Sequence, residues 1–141
     1  MDRMVQHCAV DERRIIGIDR TFNLSNFYVT VVVYQHVNMI VAETQTHPTM
    51  VGALLVHSKG NTESYYDLLN TIKFEMSRVT SECPNFDLSW RDLSFGSDDE
   101  KALRKAISLA FPNSVTTRCS KHDKDTIRRH LKDKVGLDES V

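Results

Sequence analysis

Asp19 and Asp98 each close a short apolar segment, Ile15-Ile16-Gly17-Ile18-Asp19 and Leu93-Ser94-Phe95-Gly96-Ser97-Asp98. Further strand-like runs and one amphipathic helix lie between them. That order makes the strands carrying the two acids neighbours in one sheet. Paired carboxylates at strand ends are a means of holding Mg²⁺ against a phosphodiester in phosphoryl transfer. Cys119-x-x-His122 follows in a basic stretch. At the start of a helix this spacing puts both side chains on one face. It suits two Zn²⁺ ligands, although a structural zinc site takes four. A buried cysteine beside a surface histidine accounts for the same spacing. Taken together, these residues point to nucleic-acid chemistry.

Each acid also has a local use. Asp19, with Asn23 and Ser25 close behind it, is good turn chemistry after a strand. Ser97-Asp98-Asp99-Glu100 has capping-box form, and acids there complement a helix dipole. Their shared placement at the ends of neighbouring strands is what sets the pair apart.

The elements that must position these acids follow from period and punctuation. Ile15 to Ile18 reads as a buried strand. Phe27 to Tyr34 is almost all β-branched or aromatic, a strand with two apolar faces and hence central and covered on both sides. Val37 to Glu43 reads as a third strand or a hairpin return, and Met50 to His57 as another strand. Tyr65, Leu68, Leu69, Ile72, Met76 and Val79 then fall at helical spacing, with Thr62 as N-cap and Glu63 in the first turn. Trp90 to Phe95 gives a short strand. Ala102, Leu103, Ala106, Ile107 and Ala110 mark a second helix, and Val115 to Arg118 a last strand. Ile127, Leu131 and Val135 mark a third helix, with Gly136 as its stop. The expected fold is α/β: three antiparallel strands, then alternating helices and strands, in a mixed sheet flanked by helices. This is the layout of the ribonuclease H fold. Residues 1–13 read as a loose lead-in, 14–136 as the core domain and 137–141 as a tail.

Composition excludes more than it specifies. The chain has 141 residues, 40% hydrophobic and 26% charged, enough for one globular core. Net charge is −1, so bulk charge predicts no polyanionic partner. Residues 115–136 nevertheless hold seven basic side chains against three acidic ones. A patch with Lys121, Lys124, Arg128 and Arg129 can meet phosphates, and a solvated helix face carries such charges too. Three scattered cysteines give no disulfide framework and suit a reducing compartment. The charged first residues lack the apolar run of a secretory signal. No apolar run approaches the roughly 20 residues of a membrane helix, so no membrane partner is expected.

Five pieces, in order, resemble the transposase domain of Mutator-like elements (MULE). Ile18-Asp19-Arg20-Thr21-Phe22 resembles its Asp-x-Thr-Phe start. Ser58 to Tyr65 resembles the stretch ending in Thr-Glu-Ser-Tyr. Ser97 to Ala106 resembles its Thr-Asp-Gly-x-x-Ala-Leu-x-x-Ala block. Phe111-Pro112-Asn113 and Cys119-Ser120-Lys121-His122 resemble its Phe-Pro-x and Cys-x-x-His elements. The resemblance spans about residues 15 to 135. It implies a ribonuclease H-like domain of the DDE superfamily, acting on DNA at transposon ends in the nucleus with Mg²⁺ or Mn²⁺. Asp19 and Asp98 would be its first two acids, with Cys119 and His122 the pair that follows. Asp99 stands where the family has Gly. The family's third acid lies farther downstream, and Asp138 and Glu139 come too early for it. Nor does a zinc finger for terminal repeats precede the core. Glu63 is the alternative third acid, as a helical Glu serves in ribonuclease H enzymes. The expectation is a transposase-derived domain, incomplete or inactive as this chain. The alternative is a domesticated, non-catalytic module that binds nucleic acid or protein.

Overall fold

A computed structural model describes residues 2–8, 15–36, 38–82, 93–98 and 100–118. In chain order the elements are α1 (Asp2–Cys8), β1 (Ile15–Leu24), β2 (Phe27–Gln35), β3 (Thr49–His57), α2 (Thr62–Glu82), β4 (Ser94–Ser97), α3 (Lys101–Ala110) and β5 (Val115–Arg118). The strands form one mixed sheet in the order β3-β2-β1-β4-β5. The three N-terminal strands are antiparallel; β4 joins β1, and β5 joins β4, in parallel.

Strand alternation divides the sheet into two faces. Ile16 and Ile18 of β1, Val32 and Tyr34 of β2, and Phe95 of β4 enter one core. α2 meets them with Tyr65, Leu68, Leu69, Ile72, Met76 and Val79, the stripe that helical spacing marks out. α3 adds Leu103, Ala106, Ile107 and Ala110 and packs on α2. The second face carries Ile15, Gly17 and Asp19 of β1, with Val33 and Val31 opposite Gly17 and Asp19. β2 is interior, as its composition predicts. Its coverage is unequal: Val32 is fully buried, whereas Val31 and Val33 are half-buried. No described helix is long and apolar enough to cross a membrane.

Several local expectations change. Residues 2–8, read as part of a loose lead-in, form α1 and bury Met4 and Val5 in the core. β1 does not stop at Asp19. It runs on to Leu24 because a two-residue turn, with Ser25 at φ 57°, forces hairpin pairing out to Leu24 and Phe27. The third strand is Thr49–His57, while Val41 makes only an isolated bridge to Thr46. Asn61, not Thr62, caps α2, its Oδ1 accepting the Ser64 N–H at 3.0 Å. Ser97 does not cap α3 either: Glu100 holds the N-cap position without a side-chain capping bond. The strand expected from Trp90 lies partly outside the described residues, which contain only its end, in β4. The helix expected from Ile127 to Val135 lies wholly outside them.

Candidate functional site

The parallel pairing of β1 with β4 builds the site. Its register matches Ile15 with Ser94 and ends at Ile18 with Ser97. Asp19 is the next residue of β1, and Asp98 directly follows the end of β4. Neighbouring strands lie about 4.8 Å apart, so two carboxylates at one register step can reach a common ion. Both acids are half-buried and line one cavity of about 400 Å³ with Gly17, Val33, Gly96, Thr117 and Arg118. Oδ1 of Asp98 is buried with no hydrogen-bond partner among the described residues.

Two features beside Asp19 set its aim. The β1–β2 register slips between Arg20 and Phe22, a bulge directly after the acid. Bulges sharpen strand twist and redirect adjacent side chains. Gly17 and Gly96 face each other across the strands, and each lies two residues before an acid. A Cβ on Gly17 would come to 2.8 Å from Val33 Cγ2, and one on Gly96 to 3.1 Å from Ile15 Cγ2. The floor of the cavity is therefore bare backbone. Gly-x-Asp in both strands is the sequence signal for it, since an isolated strand glycine marks close approach.

Behind the acids lies a polar network that the residue pattern does not single out. Glu100, two residues after Asp98, accepts from the Tyr65 hydroxyl at 3.2 and 3.1 Å. Its Oε1 lies 3.8 Å from Nη1 of Arg20, the residue after Asp19. Glu100 thus ties the chain flanking one acid to the chain flanking the other. Arg20 also lies over the Tyr28 ring at 4.9 Å. The His57 ring packs edge-on to Tyr65, 5.2 Å between centroids. His57 Nδ1 lies 2.7 Å from the Lys59 carbonyl, which can only accept, so Nδ1 carries the proton. In the neutral ring Nε2 then accepts from the Thr30 hydroxyl at 2.9 Å.

Burial, and next the Glu100 carboxylate, push the Tyr65 hydroxyl up to about 12 from its ordinary 10.0. The folded value lies above the unfolded one. Its contribution to stability is therefore full below pH 10 and vanishes as pH rises through 12. Tyr65→Phe is expected to lessen the alkaline loss of stability over that window. A remainder persists because burial also pushes the Cys8 thiol up to about 12. Denaturant midpoints measured across the window check this, and identical pH curves for both proteins would count against it.

The other expected residues do not join the acids. Glu63 is exposed on the first turn of α2. Among the described residues no three His, Cys, Asp or Glu side chains gather as one metal-binding group. Cys119, His122, Lys121, Lys124, Arg128 and Arg129 lie outside the described residues. Compared with known proteins, the sequence matches no family model and no curated protein.

Proposed function

We propose that this chain is a transposase-derived domain of the ribonuclease H-like, DDE type, which holds a divalent cation between Asp19 and Asp98 and works on DNA. The observation that carries the reading is the β1–β4 register, which delivers both acids to one cavity. The strand order, three antiparallel strands with two parallel additions beside β1, supports the fold assignment. The MULE-like motifs support the family.

The donor set suits the ion. Two carboxylates form an all-oxygen site of the kind Mg²⁺ or Mn²⁺ takes, and a buried Asp98 oxygen without a hydrogen-bond partner among the described residues favours a cation nearby. When bound, such an ion stabilises charge developing on phosphate oxygens. The chain's own contribution is positioning. β1 and β4 hold the acids, and Glu100 joins their flanks through Arg20 and Tyr65. Gly17 and Gly96 leave the cavity floor open to a substrate, and Arg118 brings positive charge to its wall.

Two carboxylates under-hold a second ion, so strand cleavage by this chain is expected to be absent or very slow. The absence of a third gathered acid among the described residues also favours the second reading, a domesticated binding module without catalysis. Mn²⁺ titration followed by electron paramagnetic resonance tests the proposal. Wild type should bind weakly. Asp19→Ala and Asp98→Ala should each lose at least the roughly 10–100-fold that even a supporting contact is worth to a metal site. Equal Mn²⁺ binding by all three proteins would sink the metal reading and leave the binding module. Robust Mn²⁺-dependent cleavage of a labelled duplex, abolished by either substitution, would instead show a complete catalytic site and make Glu63 the first third acid to replace.

A further inference from the structure

α3 carries Lys101, Arg104 and Lys105 and no acidic residue. The first of these cations lies three positions after Asp98. Together with Ser108 and with Thr116 of β5 they line a second cavity, of about 370 Å³. Among the described residues its lining is three cations and two hydroxyls, with no carboxylate.

Arg78 lies on a separate helix, α2, where it is held at 3.0 Å by Glu75 and at 3.0 Å by Glu82. The chain as a whole is slightly acidic, at −1. The cations on α3 are a local concentration of one sign in a concave surface, among the described residues. Such a surface attracts anions and focuses the field on them. Residues 101, 104, 105 and 108 follow i, i+3, i+4, i+7 spacing, so they share one helix face about 10 Å long. One nucleic-acid strand presents a phosphate about every 3.4 Å along the axis, which matches about three phosphates to that face. The Thr116 hydroxyl on β5 adds a donor typical of phosphate contacts.

We infer that the concavity between α3 and β5 seats the phosphodiester backbone of DNA and leads it to the acid pair. The inference rests on the proposed function for its direction, since Asp98 opens the loop into α3 and Arg118 of β5 lines the acid cavity. Lys101 and Lys105 make the seat's phosphate contacts, and the hydroxyl of Thr116 orients the backbone beside them.

Fluorescence anisotropy of the full chain with a labelled duplex tests this, in EDTA so that no metal site contributes. The salt range is about 50 to 200 mM, where phosphate contacts show as a slope of log affinity on log salt. The double variant Lys101→Ala/Lys105→Ala should lose roughly tenfold in affinity, and its slope should fall by about 2. Lys101→Arg/Lys105→Arg should restore both. Arg78→Ala, on α2, should change neither. Unchanged affinity and slope in the double alanine variant would overturn the inference. So would no duplex binding by wild type, an equal loss with Arg78→Ala, or equally tight wild-type binding of polyglutamate. The Mn²⁺ titration at Asp19 and Asp98 is made without DNA, so the metal reading and the phosphate seat can fail separately.

Discussion

Val32→Asp is expected to remove a large part of the chain's stability at 25 °C. Val32 is fully buried, with Ile18 opposite it on one side and Ala53 on the other. It lies in the core with Ile16, Ile18, Tyr34 and Phe95. A carboxylate there loses its hydration among apolar side chains. Changes of this kind reach about 4–5 kcal/mol, against a total stability of roughly 5–15 kcal/mol for a domain. Circular dichroism melts of the variant check it. The same substitution at half-buried Val31, on the other face, should cost much less. Wild-type melting by Val32→Asp would show that β2 is not interior and that the strand order is wrong.

Phe95→Ala should carry the next largest penalty, about 3–5 kcal/mol. The ring is 2% exposed and packs on Phe111, 5.1 Å between centroids at 40°. β4 has only four residues, so Phe95 is its main apolar anchor. The strand also carries Asp98 to its register step beside Asp19. The variant should therefore lose stability in urea and, where still folded, bind Mn²⁺ more weakly than wild type. A loss below about 1 kcal/mol would show that other contacts hold β4 in place.

The parts of the fold set by apolar period were legible in the sequence. Every residue of the α2 stripe, from Tyr65 to Val79, is buried as its spacing requires. β2 and β3 lie within a residue of where composition puts them. What failed was set by other physics. α1 has seven residues, of which Met4, Val5 and His7 are buried, too short a run to show a helical period, so only tertiary packing reveals it. Val37 to Glu43 is apolar enough for a strand, but Val41 pairs back to Thr46 across a tight turn.

The site divides in the same way. Strand order alone brings Asp19 and Asp98 together, because β1 and β4 become neighbours whichever residue ends them. Glu100 is different. Its place in Ser97-Asp98-Asp99-Glu100 suggests a capping side chain, yet the carboxylate turns to Tyr65 and Arg20. Those partners are distant in sequence, and no local pattern records them. The glycines before each acid were in plain view, but their meaning depends on Val33 and Ile15 across the sheet.

The β1–β4 register also bears on how the protein assembles. β1 and β2 join through a two-residue turn, whereas all of β2, β3 and α2 lies between β1 and β4. Pairings of such long sequence separation form only after loop-closure entropy has been overcome, and they slow folding. Asp19 and Asp98 are thus strangers in any partly folded chain that lacks the docked β4. If they share a divalent ion, as proposed, it binds only the closed molecule. At a hundredfold excess over its dissociation constant it would add about 2.7 kcal/mol to native stability. Such an ion would act as a latch on β4, slowing its escape from β1 and hence the opening of the sheet.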